Sequence, residues 1–294
     1  MRFPFTGVIP VDKPVGVSSR RVVDVVARNL GMKSVGHAGT LDPLASGVVI
    51  VCVGHATKLV DYLHELPKHY SATFLLGRSS PSDDFETPIE EELQPVRPRA
   101  EEIETAAAAF RGDILQRPCD YSAVHVDGKR AYRLARKGRP VVLESKPVRI
   151  DRLKITGYAW PRLAVDIDCS SGTFVRALGR DLAESLGTKA VMESLVRTAV
   201  GTFSCGQSIP LDVITPDTAR AAIMPAVVAV AHLPRHTLAD DARANVVRGG
   251  LLQLPQGTAP AIAAIDATGQ LIGILKQHDS GTYRLRPNFV PDAP

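Results

Sequence analysis

Several features are missing from this chain, and each absence removes a class of function. Its four cysteines, Cys52, Cys119, Cys169 and Cys205, form no C-x-x-C pair, so neither a zinc knuckle nor a disulfide framework is expected. Its eight histidines are dispersed without an H-E-x-x-H or comparable spacing, which removes the common metal sites. No G-x-x-x-x-G-K-[ST] or G-x-G-x-x-G loop follows a strand-like run, so no nucleotide or dinucleotide cofactor is expected. Long apolar runs are absent too. The stretch from Ala221 to Ala231 is interrupted by Pro225 and falls short of the ~20 residues of a membrane span. The opening MRFPFTGVIPVDKP lacks the continuous apolar core of a signal peptide. The expectation is a cytoplasmic protein without metal or cofactor, whose chemistry comes from its own side chains.

What is present describes an ordinary globular protein: 294 residues, 45% hydrophobic and 22% charged, enough for roughly two domains of about 100–200 residues. The net charge is only +4, but it is unevenly spread: from Gly128 to Lys154 ten Lys or Arg stand against Glu144 and Asp151. Such a segment suits a polyanion, although a solvated basic helix would look the same. From Asp83 to Glu104 nine acids stand against Arg97 and Arg99, and with its prolines this stretch reads as an exposed connection.

Hydrophobic spacing sets the elements. Val22, Val25, Val26 and Leu30 recur at helical spacing behind Ser18 and Ser19, with Gly31 as a stop. Strands are expected at 47–53, 70–76, 121–126, 148–156 and 163–169, and helices at 57–66, 103–110, 129–137 and 174–186. Strands and helices do not alternate one for one, which argues for an α+β domain around a mixed, largely antiparallel sheet. Composition changes near residue 233. Beyond it a helix at 239–248 and strands at 261–265, 271–275 and 282–285 make a small β-rich module. The expected division is 1–232 for the main domain and 233–294 for the module.

The densest signal is Gly36 to Val49, GHAGTLDPLASGVV. A residue before proline is pushed out of helical geometry, so Asp42 is expected in a loop, flanked by Gly36, Gly39 and Gly47, which tolerate positive φ and close approach. The β-branched run after it reads as a buried strand. A lone Asp-Pro is usually just a turn. The whole string, however, resembles the catalytic motif of the bacterial tRNA pseudouridine synthases of the B type, in which the aspartate of G-H-x-G-T-L-D-P is the nucleophile. Two further stretches are similar to the same family: VDKPVGVSS with Lys13 and Pro14, and CSSGTFVRALGRDL with Arg176. The likeness covers about residues 7–203 strongly and the remainder loosely. The C-terminal ARANVVRGG and YRLRPNFV resemble the family's small PUA-like RNA-binding barrel.

The resemblance implies roles that the residues alone leave open. Asp42 would be the nucleophile and must be ionised. Arg176 would supply the opposing cation through a bidentate pair; without the motif it reads as a surface helix arginine. Thr173 is expected to cap that helix, and Arg180 to be an ordinary arginine or a partner for Glu184. Tyr70, in KHYSATFLLG, would stack on the target base, while by spacing it is equally a packed strand tyrosine. Leu195 would close the pocket, or is plain core. His37 would fill the place of an extruded base, or is packed in the loop. Lys13 would support the pocket, and Lys129 and Arg130 would contact RNA within the clasping segment at 117–154, where Cys119, Asp120 and His125 depart from the family pattern. The implied reaction is isomerisation of uridine to pseudouridine at position 55 in the T loop of transfer RNA. The implied enzyme is a monomer with no obligatory protein partner. Two alternatives remain: an RNA-binding or RNA-folding protein with incidental catalysis, and a guide-RNA-dependent subunit.

Overall fold

The computed structural model describes residues 3–122, 124–126, 128–138, 143–279 and 281–289, with only the backbone at Val126 and Lys129. Strand β1 (Gly7–Lys13) and helix α1 (Ser19–Leu30) come first, then β2 (Val35–Ala38), β3 (Ser46–Val53), α2 (Val60–Glu65) and β4 (Lys68–Leu76). After the acidic connection follow α3 (Ala100–Ala109), β5 (Gly112–Gln116) and α4 (Ala131–Ala135). The hairpin of β6 (Lys146–Ala159) and β7 (Arg162–Cys169) leads to α5 (Val175–Ser185) and β8 (Ala190–Val200).

Local chemistry explains the clearest of these. Ser18 takes the N-cap of α1, accepting a hydrogen bond from the Arg21 N–H at 3.2 Å, and Gly31 closes the helix at φ 65°. Among the described residues eleven strands form one mixed sheet, whose main path runs Ile209–Pro210, β1, β3, β8, β4, β7, β6, β5. Along that path the pairs are antiparallel except β1 with Ile209–Pro210 and β3 with β8, which agrees with the expected class. Gly47, at φ 103°, lies where β3 meets β8, and a Cβ there would collide with the Arg197 backbone. The β3 run is buried on both faces, as an unbroken apolar strand should be. Val49, Val51 and Val53 face the core that α1 and α5 cover. Val48, Ile50 and Cys52 face the other side, in an apolar cluster with Leu59, Tyr62 and Leu63 that extends to Ala263, Leu271, Ile274 and Phe289.

Ala263, Leu271 and Ile274 belong to a second, five-stranded sheet, and Phe289 directly follows its last strand. Its elements are β9 (Arg235–Thr237), α6 (Asp240–Val247), β10 (Leu251–Gln253), β11 (Ala261–Ile265), β12 (Leu271–Asp279) and β13 (Thr282–Asn288), in the order β9-β11-β12-β13-β10.

Several sequence expectations need correction. Strands β1, β2, β5 and β8 are additional to those expected. The strand anticipated at 121–126 shrinks to His125–Val126, because the Tyr121 and Ser122 carbonyls are taken by Arg176 and by the Tyr132 N–H. The acidic stretch is not an exposed connection at its start: Asp84 is 2% exposed, and Asp83, at φ 58°, turns toward α5. The acidic and basic segments meet, with Glu86 paired to Arg136.

Candidate active site

Asp42 stands in the connection between β2 and β3, and the peptide groups on either side of it are held from several directions. The buried Ser19 hydroxyl donates to the Leu41 carbonyl at 2.9 Å and accepts from the Leu41 N–H at 2.8 Å. The Gly16 N–H donates to the Pro43 carbonyl at 2.7 Å. Lys13, wholly buried, gives its ammonium to the carbonyls of Ala45, Val17 and Pro14. Arg197, 2% exposed, donates from Nε to the Val48 carbonyl at 2.7 Å and from its two terminal nitrogens to Thr40 and Gly39 at 3.3 and 3.2 Å. Buried cations are costly unless their donors are used, and here the loop's carbonyls use them. Burial pushes the Lys13 ammonium down to about 8, against the pull of Asp42.

Gly39, at φ 91°, needs the freedom expected of it. Gly36 does not: it sits in β2 with ordinary extended geometry.

The Asp42 side chain, 39% exposed, faces a cavity of about 130 Å³ lined also by Thr40, Tyr70, Phe174, Arg176 and Leu195. Arg176 approaches it from the buried side, with Nη2 3.0 Å from Asp42 Oδ2. The guanidinium is shared rather than given to Asp42 as the expected fork. Nη1 donates to the Ser82 carbonyl at 2.8 Å and lies 3.4 Å from Asp84 Oδ2, while Nη2 also donates to the Tyr121 carbonyl at 3.0 Å. Burial opposes the charge on Arg176, but Asp42, Cys119, Asp84 and Asp83 outweigh it and raise its pKa. Burial likewise pushes the Asp84 carboxyl up, with Arg176 opposing. Asp84 is further held by the Ser82 hydroxyl at 2.6 Å and the Glu86 N–H at 2.9 Å.

Arg176 is the second residue of α5, where the helix dipole does not favour a cation; the two carboxylates answer that cost. Thr173 does not cap the helix. Its hydroxyl donates to the Ser170 carbonyl at 3.0 Å, and the N-cap is Phe174. Arg180 pairs with Asp83 at 2.9 Å and Asp181 at 2.8 Å instead of Glu184, because Asp83 is turned toward it.

Tyr70 of β4 lies opposite Arg197 of β8, and Leu195 lies opposite Ala72. Burial pushes the Tyr70 phenol up, with the nearby charge of Arg197 opposing. His37 lies in β2 rather than in a loop. It lines a larger cavity of about 560 Å³ with Arg20, Thr40, His125, Arg130 and Arg133, and burial followed by Arg197 lowers the imidazole's pKa. Asp42, Arg176, Tyr70 and Leu195 thus share one cavity, and His37 and Arg130 share the neighbouring one. Lys13 lies behind the loop. The Lys129 side chain lies outside the described residues.

Sequence reasoning missed Arg197, Ser19 as a loop anchor, Asp84 and Gln116, whose amide holds Phe174. The one signal for Arg197 was a lone arginine inside the apolar AVMESLVRTAV. Among the described residues, no group of three or more His, Cys, Asp or Glu side chains is placed to hold a metal ion.

Residues 27–175 match the model described as TruB family pseudouridylate synthase, N-terminal domain. The tRNA pseudouridine synthase B of Mycobacterium tuberculosis (strain ATCC 25618 / H37Rv) is 38% identical over 280 residues, 94% of this chain and 93% of that protein. The protein of the same name from Parasynechococcus marenigrum (strain WH8102) is 39% identical, over 99% of this chain and 98% of its own. A chain from the crystal structure of a Cbf5-Nop10-Gar1 complex superposes with a TM-score of 0.74 at 24% identity, covering 97% of this chain and 85% of that one. A chain from an H/ACA RNP bound to a substrate RNA containing 2'-deoxyuridine gives 0.73 at 23%, with the same coverage. At that identity the likeness is one of fold.

Proposed function

This chain belongs to the TruB family of pseudouridylate synthases, and from that premise we propose that it acts alone on transfer RNA, isomerising the T-loop uridine at position 55. One observation carries the reading. A half-exposed carboxylate, Asp42, faces a cavity with a buried cation 3.0 Å behind it, on a loop whose own carbonyls are satisfied elsewhere. That carboxylate is free to react while its charge is supported.

The target uridine leaves its stack at a cost of a few kcal/mol, and the neutral ring of His37 fills the vacated space. The extruded base lies against Tyr70, a contact worth about 1–3 kcal/mol, and Leu195 closes the far side. Ionised Asp42 attacks the nucleotide. The glycosidic C–N bond breaks, the uracil turns, a C–C bond forms from C5 to the ribose, and the C5 proton leaves while N1 takes one up as Asp42 is released. Atoms and electrons balance without an external reagent. Arg176 pairs with Asp42, 3.0 Å from its Oδ2, and holds its direction. Arg130 and the basic residues around the second cavity, with Lys129 of the same segment, meet RNA phosphates, whose neutralisation makes affinity fall with salt. Residues 233–294 act as an RNA-binding module beside the catalytic domain at 1–232. No helix among the described residues is long and apolar enough to cross a membrane; on this reading the enzyme works as a monomer in the cytoplasm with its substrate.

The test is to incubate the purified chain alone with an unmodified transfer RNA transcript and map pseudouridine. Product at position 55 is the expected result. No product at any site overturns the reading, and product only after guide RNA and partner proteins are added makes the chain a guide-dependent subunit.

A further inference from the structure

Gln116 ends β5 at the point where the chain enters the segment that faces RNA, and it is 1% exposed. Its amide is spent on a single residue. Oε1 accepts from the Phe174 N–H at 2.8 Å, and Nε2 donates to the Phe174 carbonyl at 3.1 Å. Phe174 immediately precedes α5 and lines the cavity shared by Asp42 and Arg176. Helix N-termini are ordinarily held by a Ser, Thr, Asp or Asn at the cap; this one has Phe174 there with no side-chain cap bond. A distant glutamine supplies the restraint instead. Two further bonds continue the seam, from Arg180 to the Arg117 carbonyl at 2.8 Å and from Arg176 to the Tyr121 carbonyl at 3.0 Å. Residues 116–121 are thereby laced along the first turns of the helix that carries Arg176.

We propose that Gln116 is a positioning residue for the isomerisation: by gripping both backbone groups of Phe174 it sets where α5 begins, and so where the Arg176 guanidinium stands against Asp42. It touches neither substrate nor the reacting atoms. Its effect passes through Arg176, two residues into the helix. Catalytic groups have to be held within about 0.5 Å of productive geometry, and a grip on the cap residue controls a displacement of that size. The inference rests on the catalytic reading of Asp42 and Arg176.

The test is a double-mutant cycle between Gln116→Met, which keeps the volume and removes the amide, and Arg176→Lys. Saturating single-turnover rate and affinity for unmodified transfer RNA are measured for all four proteins. A misplacement approaching 1 Å costs about 100-fold in rate, so Gln116→Met is expected to lose roughly 10- to 100-fold while its Kd stays within about twofold. In the Arg176→Lys background, itself severely slowed, the same change is expected to cost less than about threefold, because residues acting as one unit are not additive. An equal loss in both backgrounds makes Gln116 a structural residue independent of Arg176 and overturns the proposal. So does a loss below about threefold in the wild-type background. If the methionine variant does not fold, Gln116→Glu, which keeps the acceptor for the Phe174 N–H, goes through the same cycle, with the same losses supporting or overturning the proposal. An inactive wild-type chain would instead overturn the function itself.

Discussion

Replacing Arg197 by methionine keeps the length of the stem and removes three donors, with consequences that the structure sizes. The Val48 carbonyl lies in a fully buried strand, so its loss of a partner costs about 1–3 kcal/mol. The Gly39 and Thr40 carbonyls border a half-exposed loop, where water takes over part of the bond. Against this, the guanidinium has no carboxylate partner among the described residues, so its removal relieves a desolvation cost. The net destabilisation is on the order of 2–3 kcal/mol. At about 2–4 °C per kcal/mol for a domain of this size, the melting temperature falls by roughly 4–12 °C. The rate falls further than stability does, because the Thr40 and Gly39 carbonyls belong to the loop that carries Asp42. At least a roughly tenfold loss in saturating single-turnover rate is expected at a temperature where the variant is fully folded. Thermal unfolding and a single-turnover assay on transfer RNA check both halves. A melting point within about 2 °C of wild type, together with a rate within about twofold, would show that the carbonyl clamp holds nothing.

Asp42→Asn removes the proposed nucleophile at nearly constant volume and is expected to abolish turnover while leaving RNA affinity nearly intact; a variant keeping more than a small fraction of the wild-type single-turnover rate excludes Asp42. Burial holds the folded pKa of Lys13 at about 8 against 10.5 for a free lysine. The unfolded chain therefore binds that proton more tightly, and Lys13 detracts from stability below about pH 8, a penalty relieved as pH rises toward 10.5. The melting temperature of wild type relative to Lys13→Met should climb across that window, and a flat difference refutes the assignment. Activity is expected to survive EDTA provided the RNA stays folded, and a loss restored by one specific metal with RNA structure unchanged refutes metal-free chemistry. Truncation after residue 232 strips Ala263, Leu271, Ile274 and Phe289 from the apolar cluster they share with Leu59, Tyr62 and Leu63, so the shortened chain is expected to lose thermal stability and solubility; a truncated chain as stable as the whole shows that the two sheets are energetically independent.

The parts of the site that are legible in the sequence are those written in local chemistry. Asp42 is marked by the proline after it and the glycines around it, and α1 by its apolar spacing with a serine before and a glycine after. The hidden parts depend on distant partners. Arg197 meets Val48, Thr40 and Gly39 from 149 to 158 positions away, and nothing beside it in AVMESLVRTAV announces them. Asp84 sits among acids that composition assigns to the surface, and it is Arg176, far along the chain, that gives it a buried place. Thr173 looks like a cap because capping is usually local; the restraint on α5 comes from Gln116 across the sheet. His37 reads as a loop residue because four residues of β2 are too few to show a period.

The position of β8 between β3 and β4 has a bearing on how the enzyme is born. Strands β3 and β4 are synthesised early and lie close in sequence, yet they never border each other, because Ala190–Val200 threads between them. Through most of translation each therefore presents an open, apolar edge, the kind of surface that pairs promiscuously and makes long-range sheets slow to close. Such exposed edges are what make incomplete sheets prone to aggregation. The same delay has a useful side. Arg176 and Arg197 both arrive after the Asp42 loop, so no chain that stops short of the central strand holds that loop as the finished fold does.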